Sequence, residues 1–283
     1  MKIIAAAALA MLAASATAIA QDDWPPASWT RPTEPFQLIG NIYYVGTEGL
    51  SSFLITGPEG HILIDGAMPQ SAPQIIANIR KLGFEPHDVE YLLINHSHYD
   101  HAGGLAALKQ ATGAKLLASR ADAPDLEAGK TLSRPELDGY PAVKVDRLIA
   151  DGERITLGPI ALTTISTPGH TAGSTSWTTT TAGKRVLFAS SITVAGEKLI
   201  GNRDYPNVVA DFRGTFAKLR AIDADVFLNF HPEAFDIEAK RAAQRGGKAD
   251  AFVDPSETRR QVDQAAAGFE EELARQSASA GKP

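Results

Sequence analysis

The chain contains no cysteine. No disulfide can brace it, so its stability must come from the core and from any metal it holds. It has no basic run either, and its formal net charge is −6. That balance excludes the electrostatic footprint of a nucleic-acid-binding protein. Internal repeats and domain breaks are also missing, so residues 21–283 read as a single domain, long enough to bury a sizeable core. The longest apolar run, residues 3–14, is too short to span a bilayer comfortably, and no basic stop follows it. Lys2 precedes that run, and Ala18, Ile19 and Ala20 close it as an A-x-A cleavage pattern. Residues 1–20 therefore read as a secretory signal peptide, with the bacterial periplasm as the expected compartment and no stable membrane anchor.

What is present is ordinary for a globular enzyme: 44% hydrophobic and 21% charged residues. Residues 21–35 carry four prolines and two tryptophans and read as an extended arm on the surface. Short strands follow. Residues 38–39 and 42–45 flank Gly40 and Asn41, and residues 52–55 and 61–64 flank a Gly-Pro-Glu-Gly turn, which marks a hairpin. Residues 71–82 carry a helical apolar stripe closed by Gly83. Further strands are predicted near 114–118, 144–149, 154–157, 160–165, 175–180, 185–189 and 225–230. Helices are predicted over 105–111, 208–222 and 255–276, and residues 124–141 read as a long substrate-facing loop. Hairpin strands interleaved with helices argue for two sheets inside and helices outside.

Chemistry concentrates at Asn95-His96-Ser97-His98-Tyr99-Asp100-His101. The run follows a buried strand at 89–94, and extended backbone turns His96 and His98 to one face as that strand ends. Asp100 and His101 sit at the turn into a helix, beside Gly103 and Gly104, where bare backbone can approach an ion. No packing demand calls for three imidazoles and a carboxylate at a strand end, because burying them unpaired is costly. Four donors of mixed nitrogen and oxygen type suit zinc. Of the other four histidines, His170 lies in a glycine-flanked turn after an apolar strand and His231 ends another strand. Each alone reads as a surface or core histidine; beside a metal motif both become ligand candidates. His61 and His87 have no such address and read as solvated. The donors then number six, enough for two catalytic zinc ions, each lowering the pKa of bound water toward neutrality.

The H-x-H-x-D-H run resembles the signature of the metallo-β-lactamase superfamily, and the chain is similar to class B β-lactamases of the third subclass. The likeness runs from about Phe36 to Gln276 and includes Asp65-Gly66, Pro168-Gly169-His170-Thr171 and Asn229-Phe230-His231-Pro232. It implies an α/β (α+β) four-layer αββα sandwich, the metallo-β-lactamase fold. It implies that His96, His98 and His170 hold one Zn2+ and that Asp100, His101 and His231 hold a second, with Asp100 also catalytic. Ser191 and Thr193 fall where the family's hydroxyls meet the substrate carboxylate. Ser190 and Ser191 supply no bridging aspartate, which counts against the glyoxalase and lactonase branches, and His98 counts against the flavo-diiron branch.

The implied function is a zinc-dependent β-lactamase hydrolysing penicillins, cephalosporins and carbapenems through a metal-bound hydroxide, and so conferring antibiotic resistance. Its partner would be that small-molecule substrate, and the protein itself a monomer. The alternatives are a lactonase or thioesterase of the same fold, or a non-catalytic periplasmic zinc-binding protein.

Overall fold

The computed structural model describes residues 25–134 and 139–280. The signal-peptide reading of residues 1–20 falls outside them. In chain order the strands and helices are β1 (Phe36–Ile39), β2 (Ile42–Tyr44), β3 (Phe53–Gly57), β4 (Gly60–Ile64), α1 (Ala72–Lys81), β5 (Val89–Leu93), α2 (Tyr99–Ala102), α3 (Leu105–Thr112) and β6 (Lys115–Ser119). They continue with α4 (Ala123–Ala128), β7 (Arg147–Ile149), β8 (Arg154–Leu157), β9 (Ile160–Ser166), β10 (Thr175–Thr181), β11 (Lys184–Ala189), α5 (Val208–Arg220), β12 (Val226–Asn229), α6 (Ile237–Arg245) and α7 (Glu257–Ala280).

Two sheets result, ordered β1-β2-β3-β4-β5-β6-β7 and β12-β11-β10-β9-β8. The first is antiparallel from β1 to β4 and parallel from β4 to β7; the second is antiparallel except for the β11–β12 pair. Strands of the first sheet read as unbroken apolar runs because both of their faces are covered. Alternate residues serve different cores. Phe53, Ile55, Ile62, Ile64, Leu93 and Leu117 point into the core shared with the second sheet. Leu54, Leu63, Leu92 and Leu116 point the other way, onto Ile75 and Ile79 of α1 and Leu105 and Leu108 of α3. Phe53 anchors the inter-sheet layer, its ring 5.3 Å from Phe188 and 5.4 Å from Phe230. Outside the second sheet, Phe269 of α7 meets Phe212 and Phe216 of α5 at 5.1 and 5.6 Å. The expected αββα sandwich is the observed one.

Three expectations need correction. The predicted loop 124–141 begins as a helix, because α4 runs to Ala128 and ends on Gly129 in the left-handed region at φ 69°. Residues 135–138 of that loop lie outside the described residues. The arm is not simply laid on the surface: Trp29 is buried and packs, tilted, against Tyr99 and His231 with ring centroids 6.3 and 5.7 Å away. His61 is not solvated but buried, edge-on to Phe84 at 5.1 Å, while His87 is exposed as expected. A neighbouring aromatic in space, not in sequence, decides the fate of His61.

What matters for function is where the strands end. Asp65 follows β4, Asn95 and His96 follow β5, His170 follows β9, Ser190 and Ser191 follow β11, and His231 follows β12. All these ends meet at one edge of the sandwich, where open α/β architectures form their crevices.

Candidate metal centre

His96 and His98 lie in the coil between β5 and α2, and Asp100 and His101 occupy the single turn of α2. That turn is held in place from both sides. The His101 carbonyl accepts the Gly66 amide at 2.9 Å, and the Asp65 amide donates to the Leu93 carbonyl at 2.9 Å. Asp65 and Ala67 adopt positive φ, 69° and 54°, a conformation that costs non-glycine residues energy and persists only where surroundings impose it. Gly103 and Gly104 serve packing rather than ion approach. A Cβ on Gly104 would stand 2.2 Å from the Gly66 carbonyl oxygen, and one on Gly103 would stand 2.4 Å from Pro69.

Three places distant in sequence, residues 96–101, His170 and His231, bring the donors together. One ligand atom from each of His96, His98 and His170 lies within 4.8 Å of the others, and the same holds for His96, Asp100 and His101. His231 joins the second group: its Nε2 stands 3.3 Å from His101 Nε2 and 3.6 Å from Asp100 Oδ2. The third side, His101 Nε2 to Asp100 Oδ2, is 3.3 Å. All six candidate ligands therefore surround one space.

Three of the rings are oriented from behind by a group that fixes the tautomer. His96 Nδ1 donates to Asn95 Oδ1, His101 Nδ1 donates to Asp65 Oδ2 at 2.9 Å, and His170 Nδ1 donates to the Thr193 carbonyl at 2.7 Å. The opposite nitrogens of these rings are left for something else. His96 Nε2 and His98 Nε2 are buried with no hydrogen-bond partner. Buried imidazole nitrogens without partners are expensive unless a cation takes their lone pairs, so the donor set fits bound metal.

Electrostatics agree. Burial drives His96 and His98 well below the usual histidine range and neighbouring imidazoles drive them further, while burial also takes His170 to about 4 and His231 to about 3. These rings are neutral donors at pH 7, the form that binds metal. Burial opposes ionisation of Asp100, yet His101, His231 and His98 hold its carboxyl below the usual carboxylate range. Burial likewise opposes a charged His101, but Asp100 and Asp65 raise it to about 10. Both shifts favour positive charge beside Asp100, the kind of charge that a bound divalent cation would supply.

A further layer was not legible in the sequence. Buried Asp122, after β6, accepts from Thr171 Oγ1 at 3.2 Å and from the Ser97 and Gly173 amides. Asp125 Oδ2 accepts from Ser97 Oγ at 2.8 Å, and Tyr140 donates to the Ser97 carbonyl at 2.7 Å. Burial, then the charge of Asp125, pushes Asp122 up to about 7. These groups tie the His96–His98 coil to the His170 turn. Nothing local marks them, although Gly173 is a trace: a Cβ there would lie 2.3 Å from Asp122 Oδ1.

The cluster opens on a cavity of about 750 Å³ lined by His98, Asp100, His170, Ser191, Thr193 and His231, with Trp29 and Arg134 at its walls. Ser191 and Thr193 are therefore both beside the cluster, and Thr193 also holds His170 through its backbone. Sequence reasoning did not single out Trp29 or Arg134.

Residues 45–231 match the family model described as the metallo-beta-lactamase superfamily. The chain belongs to that superfamily. It is similar to a subclass B3 metallo-beta-lactamase, BJP-1 of Bradyrhizobium japonicum, with 44% identity and TM-score 0.85 over 89% of this chain and 98% of that one. It is also similar to the Cronobacter sakazakii metallo-beta-lactamase with a HARLDQ motif, with 43% identity and TM-score 0.86 over 88% of this chain and 98% of that one. Residues 96–101 here read HSHYDH, with histidine in the third and sixth places where HARLDQ has arginine and glutamine. Among curated relatives, the hydroxyacylglutathione hydrolase of Rhodospirillum rubrum is 30% identical over 37% of this chain, and the N-acyl homoserine lactonase AttM of Azorhizobium caulinodans is 30% identical over 43%. The chain spans only 34% and 56% of the length of those two relatives.

Proposed function

We propose that this chain is a zinc-dependent β-lactamase that opens the lactam amide of penicillins, cephalosporins and carbapenems and thereby confers antibiotic resistance. The observation that carries this reading is the convergence of six donors, two contiguous groups of three, on a cavity large enough for a bicyclic drug. The likeness to metallo-beta-lactamases over nearly their whole length supports the choice of substrate; the lactonase and thioesterase relatives match over much less.

His96, His98 and His170 would hold one zinc ion and Asp100, His101 and His231 the other. When bound, the pair supplies Lewis acidity and a water acidified to near neutrality. The residues do the rest. Asn95, Asp65 and the Thr193 carbonyl orient His96, His101 and His170, so the Nε2 atoms of these three rings are aimed at the site that would hold the metal. Asp100, the lone carboxylate of the cluster, orients the attacking water. Ser191 and Thr193 meet the substrate's acid group. No serine nucleophile is needed, and Ser190 Oγ is already spent on Asn95 Oδ1 at 2.9 Å.

Residues 1–20 act in this reading as an export signal to the periplasm, where these drugs meet their targets. Residues 21–283 form the single catalytic domain. Among the described residues no helix is long and apolar enough to cross a membrane, and only Leu132 and Leu148 are large hydrophobics left well exposed, which supports a monomer.

A kinetic panel tests the substrate class. Nitrocefin, a penicillin and a carbapenem are expected to be hydrolysed, with an acyl-homoserine lactone and a glutathione thioester slower by about a hundredfold or more in kcat/KM, equivalent to about 3 kcal/mol. Faster turnover of the lactone or thioester would overturn the reading, and so would inactivation by clavulanate, which acts on serine enzymes.

A further inference from the structure

We propose that Asp122 and Asp125, a buried carboxyl pair at the start of α4, are positioning residues for the His96–His98–His170 group and not for the Asp100–His101–His231 group. The proposal rests on the two-ion reading of the cluster and is independent of the substrate class.

Ser97 stands between two candidate ligands, and each of its polar groups is held from outside the motif. Its amide, part of the peptide that joins it to His96, donates to Asp122. Its carbonyl, part of the peptide that joins it to His98, accepts from Tyr140 Oη at 2.7 Å. Its Oγ donates to Asp125 Oδ2 at 2.8 Å. A peptide unit is planar, so holding one atom of each plane fixes where both imidazoles start.

Asp122 reaches the third ligand as well. Its carboxylate accepts from Thr171 Oγ1 at 3.2 Å and from the Gly173 amide, in the turn that carries His170. The peptide between His170 and Thr171 is pinned too, because the Thr171 amide donates to Ser174 Oγ at 3.0 Å. A Cβ on Gly173 would lie 2.3 Å from both Asp122 Oδ1 and Ser119 Oγ, so only bare backbone lets the turn come this close. Asp122 is itself located by its amide, which donates to Ser119 Oγ at 3.1 Å. One carboxylate thus joins the two chain segments that bear all three ligands of one group.

Packing alone does not call for two acids here. Burial opposes the ionisation of both, and the charge of Asp125 adds to the cost at Asp122. Apolar side chains of similar volume would fill the space more cheaply. What a carboxylate adds is several acceptor sites on one rigid group, and the partners gathered here are N–H and O–H donors. Asp125 uses its other oxygen on the Leu132 amide at 3.2 Å. Among the described residues, no hydrogen bond of the pair ends on Asp100, His101 or His231; His101 is oriented by Asp65 instead.

Zinc affinity measured one group at a time tests the assignment, by competition with a chelator on the mature chain. In a His231→Ala background the His96–His98–His170 group remains, and adding Asp122→Asn is expected to weaken zinc binding about 10- to 100-fold. In a His170→Ala background the other group remains, and the same change is expected to alter affinity by less than about threefold. Cobalt in place of zinc should show shifted visible bands in the first background and unchanged bands in the second. Thr171→Val removes one donor to Asp122 while keeping the side chain's shape, and should weaken the first group in the same direction but less. Thr171→Ser should restore it, and this pair of variants decides the matter if Asp122→Asn fails to fold. Equal weakening in both backgrounds, or none in either, would overturn the assignment while the two-ion reading stands. A wild type that binds fewer than two zinc ions would overturn that reading and the selectivity with it.

Discussion

Asp65 has no exposed surface, sits at φ 69°, and spends both carboxylate oxygens on donors from the motif thirty residues away. It accepts the Asn95 amide at 2.9 Å, the Asn95 side-chain amide, and His101 Nδ1. Burial pushes its carboxyl up while those same donors pull it down. Asp65→Ala would leave several buried donors unmet, and is expected to cost about 3–5 kcal/mol of stability and about 10- to 100-fold in zinc affinity. Chemical denaturation and a competitive zinc chelator measure the two; unchanged zinc affinity would show that Asp65 does not orient His101. The six candidate ligands could be found in the sequence because imidazoles and a carboxylate have few other reasons to gather at strand ends. Asp65 itself was partly legible, as a polar residue ending an apolar strand. Asn95 was read only as the start of the motif, and Asp122 and Asp125 were not legible, because a buried acceptor is defined by the donors that reach it from elsewhere. His61 shows the converse: a turn-flanked histidine looks solvated until Phe84 covers it.

Among the elements, strands and long amphipathic helices were legible to within a few residues, since β3 and β4 are short apolar runs bounded by turn residues and a 3.6-residue period survives in α1 and α7. The short α4 hid in a segment rich in turn formers. The polar α6 hid because, within it, only Ile237 and Arg241 are buried, too few for a stripe. Trp29 was misplaced because an arm of prolines says nothing about the pocket its tryptophan fills. The terminal helix α7 is more than a cover for the second sheet. Phe269, 1% exposed, plugs the stack with Phe212 and Phe216, and Gln276 fastens the Ala195–Glu197 turn through the Leu199 amide at 2.7 Å and the Glu197 carbonyl. Phe269→Ala is expected to destabilise the protein by about 3–5 kcal/mol, read by denaturant unfolding. A loss under about 1 kcal/mol would mean that α7 is not docked through this ring.

Taken as a whole molecule, the fold is a device for bringing strand ends together. Two sheets each contribute some of the candidate ligands: the first supplies the β5 exit with His96, His98, Asp100 and His101, and the second supplies His170 and His231 from β9 and β12. Metal binding should therefore clamp the sheets against each other, a stabilisation the cysteine-free chain has no disulfide to provide. Local sequence could reveal each half-site but not the distance between them; that distance is set by the Phe53, Phe188 and Phe230 layer that packs the sandwich.

The most direct test of the central claim is a zinc titration of chelator-stripped protein, with bound metal and nitrocefin turnover read on the same samples. The account predicts no turnover in the stripped protein and activity that rises with zinc and saturates at two ions per chain. Turnover by the metal-free protein, or none at two-zinc saturation, would contradict it.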